Sequence, residues 1–145
     1  MRRPFGIVMG IALGTAVALG PATEPAVAVE TTIGSSEVKL NQLVNEARAA
    51  AGLGALTLRD RLSRRAERHS RRMIDQGVLF HSDLGGIGGA AAEVVGYGAS
   101  LSEVFTRLMA SGAHGDILLG AGWHATGIGV ARGAGRVWVT QIVKG

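Results

Sequence analysis

Apolar residues recur along this chain with two periods, and the change from one to the other predicts its architecture. From Ser36 onward, Leu40, Leu43, Val44, Ala47 and Ala51 fall on one helical face, with Glu37 in the first turn and Gly52 and Gly54 as the stop. In a second helix Leu58, Leu62, Ala66, His69 and Met73 step by four, four, three and four. Thr57 with Asp60 resembles a capping box at its start, and Gly77 closes it. The third helix opens on a capping box of Ser100 and Glu103 and buries Leu101, Val104, Phe105, Leu108 and Met109. Gly112 ends it, which puts His114 just past a helix C-terminus, where the dipole favours an imidazolium. Ile117 to Trp123 reads as an apolar loop. The period then shortens to two: 126–131 and 136–143 are β-prone runs joined by Arg132-Gly133-Ala134-Gly135, a hairpin signal. Glu93-Val94-Val95 reads as a short strand or an extended loop. Three helices, a hairpin and one earlier strand predict an α+β domain with an antiparallel sheet.

The N-terminus does not belong to that domain. Met1-Arg2-Arg3 is a basic start, Phe5 to Leu19 is apolar apart from glycines and Thr15, and Ala26-Val27-Ala28 offers a small-x-small cleavage site. Residues 1–28 therefore read as a secretory signal peptide, 29–37 as a polar lead-in and 38–145 as the domain. The apolar run is shorter than the ~20 residues of a spanning helix, and none of that length follows. The expectation is a secreted, extracellular protein with no transmembrane segment once the signal is removed. It has no cysteine, so packing alone must hold it.

Charge changes the picture at one place. The net charge is +4, and seven arginines between Arg59 and Arg72 lie opposite the second helix's apolar stripe. Asp60, Glu67 and Asp75 dilute the row and no aromatic residue interleaves it, so it reads first as a solvated face rather than a nucleic-acid site. On an extracellular protein the same face can meet an anionic envelope polymer or lipid headgroups. The string from Leu84 to Gly89 lacks the strand before and the helix after that a phosphate loop needs. Asn45 and Arg48 read as an ordinary exposed polar pair, and His69 as a packed core histidine.

Candidate chemistry sits on three segments, Phe80-His81-Ser82, Ala92-Glu93-Val94 and Ser111-Gly112-Ala113-His114. His81, Glu93 and His114 match the donor inventory of an open zinc site, without the close spacing of a zinc motif. No cofactor is required by the pattern, and any zinc or other divalent metal there would be held weakly. The structural alternative is a carboxylate that hydrogen-bonds the imidazoles and pins helix ends to the sheet. A hydrolase could use metal-assisted chemistry, or Ser111 as nucleophile with His114 as base and Glu93 orienting it. A binding module could instead line an apolar groove with Leu79, Phe80, Ile117, Leu118, Leu119 and Trp123.

Asn45-x-x-Arg48, Ala51-Gly52-Leu53, Phe80-His81-Ser82, Glu93, Met109-x-Ser111-x-x-His114, Gly127-Ile128-Gly129-Val130 and Val137-Trp138-Val139-Thr140-Gln141 follow one another in an order that resembles the CAP superfamily, also called SCP or PR-1-like. The likeness spans about residues 38 to 143. It implies a three-layer α-β-α sandwich with a central antiparallel sheet, and a cleft in which His81, Glu93 and His114 take the places of the first histidine, the first glutamate and the second histidine. In some relatives that cleft holds a divalent metal. Several members bind sterols or other lipids and are without established catalysis, so the resemblance implies a non-catalytic extracellular binding protein. Val94 stands where the family usually has Asn, a second cleft glutamate has no counterpart, and Gly112 and Gly115 replace the usual Pro and Arg beside His114.

Overall fold

A computed structural model describes residues 33–145; the signal-peptide expectation and residues 29–32 of the lead-in lie outside the described residues. Helices α1 (Ser35–Ala50), α2 (Asp60–Gln76), α3 (Leu101–Ala110) and α4 (Gly112–Leu118) enclose a sheet of β1 (Thr57–Leu58), β2 (Ala91–Gly98), β3 (Ala125–Gly133) and β4 (Arg136–Lys144). The strand order is β1-β3-β4-β2. The three long strands are antiparallel, and only the two-residue β1 runs parallel to its neighbour β3, so the sheet is mixed. The α-β-α sandwich is as expected, and no helix among the described residues is long and apolar enough to cross a membrane.

The two faces of the sheet are packed differently. On one, Leu40 and Val44 of α1, Val104 and Leu108 of α3 and Leu118 of α4 meet Val94, Ile128, Val137, Val139 and Val143 in an aliphatic core. On the other, α2 approaches β3 so closely that a methyl group added at Gly127 would collide with the Leu62 backbone, and one at Gly129 with Ala66 and Glu67. Close approach lets Ser70 Oγ donate to Gly129 O at 2.9 Å and meet Thr140 Oγ1 at 2.9 Å. The buried face of α2 is consequently Ser63, Ala66, His69, Ser70 and Met73, while Leu62 is only half-buried. Ala66, His69 and Met73 of the expected stripe are buried, while Ser63 and Ser70 join them in place of Leu62, because a helix lying on bare backbone needs small side chains at the contact.

Local details follow from the same physics. The expected cap at Thr57 fails because Thr57 and Leu58 pair with β3, leaving Arg59 as N-cap without a side-chain cap bond. The cap at Ser100 holds, with Glu103 N donating to Ser100 Oγ at 3.2 Å and Glu103 Oε2 accepting from Ala99 N at 2.7 Å. The β3–β4 turn is Ala134-Gly135, both at positive φ (51° and 69°), the handedness that a two-residue hairpin requires.

Candidate functional site

The site begins midway along α2. His69 is fully buried there; its Nε2 donates to Phe80 O at 2.6 Å, its Nδ1 accepts from Arg72 Nη2 at 3.1 Å, and its ring meets the Phe80 ring edge-on at 4.7 Å. Gly77, at φ 69°, turns the chain out of the helix, and the His69 anchor then fixes the segment that carries His81 and Ser82. Both reach Glu93 on β2. Glu93 Oε1 accepts from His81 Nδ1 at 2.9 Å and from Ser82 N at 2.8 Å, and its Oε2 accepts from Ser82 Oγ. The carboxylate side chain is 2% exposed and the imidazole 62%, so Glu93 is spent inside the protein while His81 presents its other nitrogen to solvent.

His114 is carried by other elements and does not join that hydrogen-bonded group. The chain does not leave α3 into a loop; α3 stops at Ala110 and α4 starts at Gly112, with Ser111 as the N-cap between them. Gly115 permits the sharp junction, since a Cβ there would press on Met109 O at 3.2 Å. His114 thus lies in the first turn of a helix rather than beyond a last turn, and the expected dipole stabilisation of an imidazolium loses its basis. It lines an open groove of about 280 Å³ along β2, with Leu79, Val95, Tyr97, Val104 and Leu108 as apolar wall and Ser111 and Arg107 as its other polar groups. Arg107 is itself paired with Glu103 at 2.6 Å. Of the six residues expected to form an apolar groove, only Leu79 lines it. Leu118 is fully buried, Ile117 and Trp123 pack on the main core, and Phe80 joins Met73, Val95 and Trp138.

Among the described residues no hydrogen bond links His114 to Ser111, Glu93 or His81, so the Ser111–His114–Glu93 arrangement is not assembled as a triad. No group of three or more His, Cys, Asp or Glu side chains among them could hold a metal ion. The donor chemistry agrees: both Glu93 oxygens already accept protein hydrogen bonds, and His81 supplies one free nitrogen where an open zinc site needs three protein ligands. The residues present do not fit a divalent metal. Val94, in the place of the usual Asn, is fully buried against the aliphatic core and takes no part.

Sequence reasoning missed Arg48. It is fully buried, and burial pulls its pKa below the ordinary guanidinium value. Its Nε donates to Gly54 O at 2.8 Å, Nη1 to Leu118 O at 2.7 Å and Gly120 O at 3.0 Å, and Nη2 to Trp123 O at 3.3 Å. No carboxylate is involved; carbonyl dipoles, one of them from the last residue of α4, solvate the charge. Asn45 is its companion, its Oδ1 accepting from Leu56 N at 2.8 Å and its Nδ2 donating to Leu56 O at 3.1 Å. The signal was present, since Arg48 continues the four-residue step from Leu40 and Val44 onto the buried face.

Comparison with known proteins rests on this geometry. No curated protein matches the chain by sequence. Among solved structures, an outer surface protein from Borrelia burgdorferi superposes with a TM-score of 0.64 at 17% identity, over 74% of this chain and 90% of that one. An extracellular SCP-domain protein from Bacillus anthracis gives 0.67 at 17% identity, over 76% of this chain but 40% of that one. Venom allergen-like protein 4 from Schistosoma mansoni gives 0.63 at 7% identity, over 77% and 89%. At these identities the likeness is one of fold. The model of the cysteine-rich secretory protein family, CAP, matches residues 42–143, although this chain has no cysteine, and that match makes it a member of the CAP family.

Proposed function

We propose that the protein is an extracellular, non-catalytic binding domain that seats a small apolar or amphiphilic molecule in the groove along β2. The observation that carries this reading is the composition of the groove. Leu79, Val95, Tyr97, Val104 and Leu108 give it apolar walls, while His114, Ser111 and Arg107 supply a few convergent polar groups. That is the usual make-up of a small-molecule site. Leu79 is 42% exposed, so its side chain is open to a molecule entering the groove. The basic start and apolar run before residue 28, and the extracellular or outer-surface character of similar proteins, support an address outside the cell.

The test uses dodecanoate, an amphiphile with an apolar body and an anionic head, titrated into the protein and followed by calorimetry. Leu79→Ser removes one wall without touching the core. Wild-type protein is expected to bind and the variant to bind at least about fivefold more weakly, the order of effect of losing one buried aliphatic side chain. Equal binding by both would sink the groove as the site, and no binding by either would remove this ligand class from the reading.

A further inference from the structure

The structure sorts the arginines of α2 into two groups. Asp60 pairs with Arg64, and Glu67 pairs with Arg71 at 2.6 Å; the hydrogen bond and then the charge of Glu67 hold Arg71 above its ordinary pKa. Two of the three acids that dilute the row in sequence are thereby consumed, and the third, Asp75, faces a different hollow beside Arg71. Arg61, Arg65 and Arg68, spaced four and three apart on one side of the helix, wall a cavity of about 420 Å³ instead. Arg59, His124 and Lys144 complete its rim, and no carboxylate lines it. Among the described residues no ion pair engages Arg59, Arg61, Arg65, Arg68 or Lys144.

The cavity is also a built one. Arg65 Nη2 donates to Gly85 O at 3.0 Å and to Asp83 O, tying down the glycine-rich loop whose Gly86 and Ile87 form the opposite wall. Carbonyl oxygens orient that guanidinium without cancelling its charge. A second hollow of about 480 Å³ shares Arg65 and Arg68 and extends to Arg71 and Arg72, with Asp83 as its one acidic lining residue. From Arg61 to Arg72 the row runs roughly 16 Å along the helix axis.

We propose that this cavity and its extension bind a linear polyanion through successive phosphate groups, a chain of the polyphosphate or polyol-phosphate kind without aromatic bases. Four guanidinium groups and an ammonium around one hollow repel each other unless an anion of several charges enters, and guanidinium forks match phosphate oxygens. One phosphate would fill neither the space nor the charge. A bilayer is disfavoured because the surface is concave and the exposed large apolar residues Val38, Val78 and Leu79 are not part of it. Nucleic acid is disfavoured because neither hollow is lined by Phe, Tyr or Trp on which bases could stack. The site is separate from the β2 groove and does not rest on the reading given for it.

The experiment is a calorimetric titration with inorganic polyphosphate over a range of salt concentrations. Arg61→Gln/Arg68→Gln is compared with Lys39→Gln/Arg132→Gln, which removes the same charge from elsewhere on the surface. The first pair is expected to lose at least about tenfold in affinity and to flatten the logarithmic salt slope by roughly 1.4, or ~0.7 per lost phosphate contact, and the second to change little. Equal losses in both pairs would overturn the proposal in favour of diffuse attraction. So would orthophosphate binding as tightly as the chain, an oligothymidylate binding as tightly, or anionic phosphatidylglycerol vesicles that polyphosphate does not displace. Should the first pair fail to fold, amide spectra of the wild-type protein decide. Shifts at Gly86, Ile87 and His124 on adding polyphosphate support the cavity, and shifts confined to residues outside the two hollows refute it.

Discussion

Two regions along β2 hold one histidine each, and they differ in what is left over. At the start of the strand, His81 and Ser82 close on Glu93, whose two oxygens accept three hydrogen bonds while the side chain is almost wholly buried. Further along, His114 lines an open groove, and among the described residues its imidazole has no hydrogen-bond partner. A polar residue whose capacity is used inside the fold contributes to stability. One whose capacity is unused beside an apolar wall is available to a ligand. Motif order alone gives both histidines one cleft and one role, and hydrogen-bond accounting gives them different roles.

Substitutions should deepen that contrast. The largest effect is expected away from β2, at the residue most fully consumed. Arg48→Ala strands the carbonyls of Gly54, Leu118, Gly120 and Trp123 and should cost about 3–5 kcal/mol in urea denaturation. A loss below about 1 kcal/mol would mean that water replaces the guanidinium freely. Glu93→Ala comes next. It leaves Ser82 N and Oγ without their acceptor and is expected to destabilise by about 2–3 kcal/mol by the same assay. His114→Ala should stay within about 0.5 kcal/mol of wild type yet weaken dodecanoate binding, because it alters the groove and not the clamp. A strongly destabilised His114 variant would join the two regions again.

Much of this fold can be read from residue pattern. The hairpin is legible because β4 alternates Val137, Val139 and Val143 toward one core, and α3 because its cap and stripe agree. Three features resist such reading for physical reasons. The α4 helix carries two glycines and a histidine in seven residues, so it forms from tertiary context and not from propensity. The full length of β2 is hidden by Gly96 and Gly98, of which Gly98 is small because a Cβ there would press on Glu103 and Val104 of α3 at 3.2 Å. The inward face of α2 is polar in sequence because serines and glycines allow helix and strand to touch. In the candidate site, the His81–Glu93 partnership is compatible with the sequence but not with a metal triad. The cavity beside α2 needs coordinates, since it depends on which arginines the acids neutralise.

The most direct measurement of the separation between clamp and groove is a histidine-detected NMR titration of the wild-type protein with dodecanoate. The account predicts that the His114 ring signals move with ligand while those of His81, held by Glu93, stay in place. Movement of both rings together along one binding curve, or of His81 alone, would contradict it.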